Sequence, residues 1–235
     1  MATTLLAIDY PSAEEWKKLV HDFSAEAIAH KLLLSSVPYV FRSEPLKFAL
    51  FRRTIADAFN VAPTDVFIVG SAMAGRSLKG RSIDEQFSTD SDIDTLIISE
   101  HLFASYVMES FEWVKEITAS SEEADNMWKP PILTEEQVKQ IGRLSVNACK
   151  GIWRPDSLPA GAMAREKFFD RFNEVSLKVL GLQLSDNTVS KVNGRVARSF
   201  DNAVADLASS IRRLRFEFDD IDKKNRSKVP QTGSK

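Results

Sequence analysis

The sequence of 235 residues contains a single cysteine, Cys149, and no long apolar run. One cysteine excludes an internal disulfide and is typical of a protein from a reducing compartment. No segment approaches the ~20 apolar residues that a membrane helix needs, and the N-terminus has no basic region of the secretory type. The formal net charge of −2 gives no whole-protein field that would attract nucleic acid. We therefore expect a cytoplasmic protein without membrane contact, in which any anionic partner requires a local basic patch.

The sequence does contain clear helix signals. Two capping boxes, Ser12 with Glu15 and Thr134 with Gln137, mark helix starts, because each pair satisfies backbone groups of the first turn. A further helix is predicted with Ser43 as its N-cap and Pro45 in its first turn. Its apolar spacing predicts an inward face made of Leu46, Leu50, Ile55 and Phe59.

Two short runs rich in β-branched residues, "TDVFIVG" (64–70) and "IDTLIIS" (93–99), are typical of buried strands. The segment 189–200 is compatible with either a strand or an extended arm. These patterns predict an α+β protein with a small mixed sheet flanked by helices. The predicted organisation is one domain over residues 1–222, with N-terminal helices in 11–60, a core in 64–118, a helical C-terminal part in 134–220, and a disordered basic tail over 223–235.

The stretch "DVFIVGSAMAGRS", residues 65–77, differs by one letter from the phosphate-binding pattern G-x-x-x-x-G-K-[ST]. Arg76 stands where the lysine belongs, and a forked guanidinium does not replace a compact ammonium. A P-loop also needs a helix directly after the loop, whereas the residues after Ser77 are polar and lack an apolar stripe. We therefore interpret this stretch as a phosphate-binding turn of a different type. A degenerate P-loop NTPase is the less favoured alternative.

Three aspartates, Asp90, Asp92 and Asp94, alternate with other residues just before the second predicted strand. This spacing matches the first three ligand positions of a calcium loop. That loop also requires glycine at position six and glutamate at position twelve. Thr95 and His101 stand there instead, which excludes the calcium loop.

Side chains alternate along a strand, so Asp92 and Asp94 would share one face, about 6.7 Å apart. Two carboxylates this close favour a cation between them. Magnesium suits such a pair, because it takes one or two carboxylates and completes its shell with water and phosphate oxygens. The alternative is a pair of solvated acids at a strand start. We predict a metal site at Asp92 and Asp94 for Mg²⁺, with Mn²⁺ as the other suitable ion.

A strand that ends in Gly70 and Ser71, a loop, and then Asp92 and Asp94 ahead of an apolar strand resembles the nucleotidyltransferase superfamily of DNA polymerase β. The resemblance covers roughly residues 66–99. It implies a polymerase β-like nucleotidyltransferase core with additional N- and C-terminal helices. It also implies that Gly70 and Ser71 hold the phosphates of the incoming nucleotide, and that Asp92 and Asp94 are catalytic and bind magnesium. More loosely, the flanking segments resemble compact bacterial nucleotidyltransferases found beside defence genes.

The sequence departs from this family at two points. Twenty residues separate Ser71 from Asp92, and this long spacer carries further candidates for the phosphates, namely Arg76, Ser77 and Lys79. The family also supplies a third carboxylate from a later strand. Asp156 and Asp201 are the candidates here, and we rank Asp156 first as the third catalytic acid.

A basic residue for the phosphates is also expected from the segment 189–200. On a strand, Arg195 and Arg198 would face opposite sides, so only one of them could point into a cleft. We assign Arg198 to the phosphates.

The resemblance implies a magnesium-dependent nucleotidyltransferase that transfers a nucleoside monophosphate from an NTP or dNTP to a nucleotide, nucleic-acid or protein acceptor. Such an enzyme would make, for example, an oligonucleotide or a nucleotide signal in anti-phage defence. One alternative is a nucleotidyltransferase-like antitoxin or regulator that modifies or binds a partner protein, and an effector or toxin encoded nearby would then be its partner. A small-molecule nucleotidyltransferase, such as one that inactivates an aminoglycoside, is a third class.

Overall fold

The computed structural model describes residues 10–35, 37–88, 90–119, 133–180 and 192–228. These residues form eight α-helices and a small mixed sheet, which confirms the predicted α+β class. The helices are α1 (Ala13–Asp22), α2 (Ala25–His30), α3 (Pro45–Phe59), α4 (Gly70–Ala74), α5 (Glu100–Ala119), α6 (Glu135–Cys149), α7 (Met163–Leu180) and α8 (Phe200–Lys228). The strands are β1 (Val66–Val69), β2 (Ile93–Ile98), β3 (Ile152–Trp153) and β4 (Val192–Ala197).

The four strands are ordered β1-β2-β4-β3 in one sheet. Strands β2 and β4 run parallel, with Asp94 beside Asn193 and Ile98 beside Ala197. Strand β3 runs antiparallel to β4, with Trp153 beside Val196. Of the segment 189–200, for which the sequence left two alternatives, residues 192–197 therefore form an interior strand of the sheet.

The described chain separates into two compact units, each built from segments that are distant in sequence. The first contains described residues within 10–43, 68–91 and 204–228, and the second contains those within 44–67 and 92–203. The single domain over residues 1–222 stays a prediction. The sequence predicts a disordered tail from residue 223, but helix α8 continues to Lys228. Residues 229–235 lie outside the described residues.

In the first unit, the predicted capping box at the start of α1 is confirmed. The backbone N–H of Ser12 donates to Glu15 Oε2 at 2.8 Å, and the N–H of Glu15 donates to Ser12 Oγ at 3.3 Å. Helix α1 buries Trp16, Leu19 and Val20 on one face. A helix with one apolar stripe is stabilised mainly by packing of that stripe, and the cap fixes where the helix begins.

The second unit has an aromatic core. The rings of Phe168 and Phe172 on α7 both lie about 5 Å from the ring of Phe59 on α3, with centroid distances of 5.2 and 5.0 Å. Trp153 stacks on Tyr106 at 4.3 Å. Each fully buried phenylalanine stabilises the fold by about 1.5–3 kcal/mol.

Helix α3 contradicts the inward face that its sequence predicts. Leu46 and Leu50 are 86% and 53% exposed, whereas Phe51, Ile55 and Phe59 are buried. At 3.6 residues per turn, Leu46 and Leu50 lie on the opposite side of α3 from Phe51, Ile55 and Phe59, so the four predicted residues do not form one helical face. The N-cap is Glu44, not the predicted Ser43.

Among the described helices, none combines the length and the apolar content that crossing a bilayer demands.

Candidate functional site

Asp92 and Asp94 lie at the start of β2, in the second unit. Asp92 immediately precedes the strand and Asp94 is its second residue. The intervening Ile93 and the following Thr95 are buried, at 4% and 0% exposure, on the other face. Asp92 is exposed and Asp94 is half-buried. The predicted strand is confirmed, and alternation puts both carboxylates on one face, which we call the acidic face.

Asn193 on β4 belongs to the acidic face, because it stands beside Asp94 in the parallel register. Its side-chain Nδ2 donates to Asp92 Oδ2 at 3.4 Å. The hydroxyl of the buried Thr95 donates to the backbone oxygen of Asn193 at 2.9 Å, which holds the two strands in register. At the next position, a Cβ on Gly194 would lie 2.3 Å from Thr95 Oγ1, so only glycine fits there.

Asn193 was not identified from the sequence. The signal was present, since an amide one step before a glycine in an alternating segment is unusual for a strand. Its importance depends on the pairing with β2, and a pairing across 101 residues is not visible in the sequence alone.

Two arginines also belong to the acidic face. Arg195 lies two residues after Asn193 on β4 and therefore points to the same side. Arg154 has an extended backbone and follows Trp153, whose side chain is buried on the opposite face and donates from Nε1 to Ser110 Oγ at 2.9 Å. Alternation then directs Arg154 toward the acidic face. This face thus combines two carboxylates, one amide and two guanidinium groups.

Arg198 lies elsewhere. It follows the end of β4, is exposed, and uses its backbone N–H to bond the oxygen of Gly151 at 2.8 Å. Arg198 is five positions after Asn193, which corresponds to roughly 16 Å along the direction of β4. The geometry therefore favours Arg195 over Arg198 as the arginine that accompanies the carboxylates.

The two candidates for a third carboxylate are both exposed. Asp156 lies in a short 3₁₀ helix, Pro155–Ser157, after β3, and Asp201 lies in the first turn of α8. Within the ranges that the structure describes, no three His, Cys, Asp or Glu side chains form a group that could hold a metal ion. Asp156 as the third catalytic acid stays a prediction.

The glycine turn that we assigned to phosphates lies in the first unit. Gly70 has a φ of +67° and begins α4 directly after β1, and Gly75 has a φ of +79° and ends it. The N–H of Gly75 donates to the oxygen of Ser71 at 2.8 Å. The helix thus lies between the two glycines, not after the second one as in a P-loop. This geometry supports the sequence interpretation that the likeness to a P-loop is accidental.

The loop after Gly75 is braced by its own side chains. Arg76 donates from Nε to the oxygen of Pro11 and from Nη1 to the oxygen of Ile83, both at 3.0 Å. The hydroxyls of Ser77 and Ser82 lie 2.8 Å apart. Arg76 therefore has a structural role that accounts for it without any ligand.

Of the remaining loop candidates, Lys79 is exposed. The next residue, Gly80, donates its N–H to Oε2 of Glu217 on α8. A Cβ at Gly80 would lie 2.6 Å from the Cβ of Glu217, so the glycine allows this close approach.

The acidic face fits magnesium in its donor chemistry. Asp92 and Asp94 supply hard carboxylate oxygens, and a rotation of the Asn193 amide would present Oδ1, a further oxygen ligand. Magnesium commonly keeps several waters and takes substrate phosphates as ligands, so two carboxylates are sufficient protein ligands.

Comparisons of the chain with protein-family models, with curated proteins and with solved structures gave no match.

Proposed function

We propose that the protein is a magnesium-dependent nucleotidyltransferase with a polymerase β-like core, which transfers a nucleoside monophosphate from an NTP or dNTP to an acceptor. The observation that carries the proposal is the acidic face. Asp94 stands on β2 and Asp92 directly before it, and Asn193 and Arg195 stand on β4, the parallel strand next to β2. A carboxylate pair with adjacent arginines is suited to a metal-bound polyphosphate.

Each residue has a definite task in this proposal. Asp92 and Asp94 hold Mg²⁺, and Asn193 orients Asp92 through its amide. When bound, magnesium supplies a Lewis acid that neutralises negative charge on the triphosphate. Arg195 and Arg154 attract the same charge with fixed cations, and a guanidinium matches phosphate oxygens in a bidentate manner.

The resemblance adds Gly70 and Ser71 as the residues that hold the nucleotide's phosphates through backbone N–H groups and a hydroxyl. The acceptor is a nucleotide, a nucleic acid or a protein. Transfer to any of them requires the carboxylates to be ionised, since only the charged form binds a hard cation.

A second candidate function is a nucleotidyltransferase-like regulator that binds nucleotide without turnover. The lack of a third clustered acid among the described residues favours it. In this case an amide, Asn193, stands beside the carboxylate pair, and the site would retain nucleotide without supporting transfer.

The test is incubation of the pure protein with Mg²⁺ and each α-labelled NTP and dNTP, followed by separation of the products. The wild type should form labelled products, and the double variant Asp92→Asn/Asp94→Asn should form none. Asp90→Asn is the matched control, because it removes a nearby carboxylate that lies in the turn before β2 and is not assigned to the metal. Nucleotide binding without product would favour the regulator, and undiminished transfer by the double variant would overturn the site.

A further inference from the structure

The second unit contains a cavity of about 510 Å³ that the proposed function does not use. It lies where the end of α3, the start of α5 and the middle of α7 meet. Ser99, just after β2, is one of its lining residues. The acidic face is at the start of β2, and the six residues of this strand span roughly 20 Å. The cavity is therefore a separate site.

The cavity is lined by two cationic side chains from α7. Lys167 and Arg171 are four residues apart, so they project from the same side of the helix. Lys167 is exposed, and it forms no ion pair with any residue that the structure describes. An ammonium group without a carboxylate partner at the wall of a cavity is available to an anion.

Arg171 is held in place from two sides. Its Nη1 donates to Tyr106 Oη at 3.1 Å, and its guanidinium carbon lies 5.2 Å from the ring centroid of Phe59. A guanidinium group has five N–H donors, and the bond to Tyr106 uses one of them. A guanidinium fixed in this manner loses little conformational entropy when it binds an anion.

The described polar side chains that line the cavity carry a net positive charge. Burial raises the pKa of Tyr106 to about 12, so its phenol is neutral at physiological pH. Among the described residues that line the cavity, Glu109 is the single carboxylate, and its Oε1 accepts from Ser105 Oγ at 3.3 Å. Two cations against one carboxylate give a net charge of +1 before His101, which also lines the cavity, is counted.

We propose that this cavity binds a small organic phosphate. Its volume lies within the range of roughly 300–1,000 Å³ that is typical of small-molecule sites. A dianionic phosphate satisfies Lys167 and Arg171 together, and Leu102, Val61 and Phe59 offer apolar contact to the organic part. The cavity does not depend on magnesium or on Asp92, so it is independent of the proposed transfer reaction.

The test is calorimetric titration in the presence of EDTA, which silences metal-dependent binding at the acidic face. The probes are inorganic phosphate, glycerol 3-phosphate and AMP, with adenosine as the uncharged control. We expect at least one phosphate probe to bind and adenosine not to bind. Lys167→Ala should weaken binding by about tenfold, the usual size of a lost charge-assisted hydrogen bond. Lys178→Ala, on the same helix and ion-paired with Glu174, should leave binding unchanged.

A second measurement locates the ligand. Acylation of lysines, read by mass spectrometry, should slow at Lys167 and not at Lys178 when the bound phosphate is present. The inference is overturned if no phosphate probe binds with a Kd below about 10 mM. Binding weaker than this would be too weak for a functional small-molecule site. Equal binding by wild type and Lys167→Ala would overturn it as well. Either failure would leave the magnesium-dependent transfer assay unaffected.

Discussion

The side-chain amide of Asn193 on β4 donates a hydrogen bond to Asp92, the residue directly before the parallel strand β2, at 3.4 Å. The amide therefore connects β4 to the carboxylate pair. Because an amide is uncharged, Asn193 donates a hydrogen bond to the carboxylate pair but does not neutralise its negative charge. Replacing it with a carboxylate changes the charge of the site while keeping its shape.

We predict that Asn193→Asp increases the affinity for Mg²⁺ by on the order of tenfold, because affinity rises with the number of charged oxygen ligands. Without metal, the same variant should be less stable than wild type, since three carboxylates then repel one another. Magnesium titration followed by thermal unfolding measures both effects. Asn193→Ala is the control, and it should not gain affinity. An aspartate variant with unchanged magnesium affinity would show that the acidic face holds no metal.

The position of the arginines gives a second prediction. Arg195→Ala should weaken magnesium–triphosphate binding by about tenfold, because it removes a charge-assisted contact from the acidic face. Arg198→Ala should change binding little, since Arg198 lies beyond the other end of β4. A fluorescent nucleotide competed with unlabelled ATP measures both affinities. The reverse order of effects would restore Arg198 as the phosphate residue.

Arg76 is predicted to act on stability. Arg76→Ala leaves the carbonyl oxygens of Pro11 and Ile83 without their donors, which should lower the free energy of unfolding by about 1–3 kcal/mol. Nucleotide affinity of the folded variant should not change. Ser71→Ala should show the opposite pattern, with weaker nucleotide binding and near-normal stability. Urea unfolding and nucleotide titration on both variants separate the two roles.

We predict that replacing Gly75 with any other residue destabilises the fold. Its φ is +79°, and a Cβ there would lie 2.7 Å from the ring of Tyr39. Gly75→Ala should therefore cost at least about 1 kcal/mol of unfolding free energy, from backbone strain and overpacking together. The matched control is Gly142→Ala in α6, where a new Cβ meets nothing within 4 Å. That variant should be more stable by about 0.5–1 kcal/mol. Equal stability of the two variants in urea would contradict the geometry around Gly75.

Tyr106 gives a prediction about alkaline pH. Burial raises its pKa from 10.0 to about 12, so the folded state favours the neutral phenol. The stability that this provides is complete below pH 10 and is lost as pH rises from 10 to 12. Wild type should lose about 1 kcal/mol more than Tyr106→Phe between pH 8 and pH 11. Urea unfolding of both proteins at the two pH values measures this difference, and parallel losses would refute it.

Local signals in the sequence predicted local structure well. The capping boxes at Ser12 and Thr134 both form, and β1 and β2 lie where β-branched runs placed them. These features depend on residues within a few positions of one another, and their hydrogen bonds are made inside the same segment.

Features that depend on distant partners were not predictable in the same manner. Strand β3 has only two residues, Ile152 and Trp153, and exists because β4 pairs with it. Helix α3 has apolar residues on two opposite sides, and only the contacts with α7 decide that Ile55 and Phe59 face the core while Leu46 and Leu50 do not. The site followed this pattern too. The carboxylates were visible as a spaced pair, whereas Asn193 and Arg195 joined them only through strand pairing.

The division of the first unit into three separate segments has a consequence for protein synthesis. Arg215 on α8 donates to the backbone oxygens of Val20 and Phe23, and 195 residues separate Arg215 from Val20. Helix α1 therefore leaves the ribosome long before α8, the helix that contacts it, has been made. The second unit, in contrast, is complete by residue 203. The second unit can therefore fold first. The first unit can fold only after the last helix of the described chain has been made and can pack on its N-terminal helices.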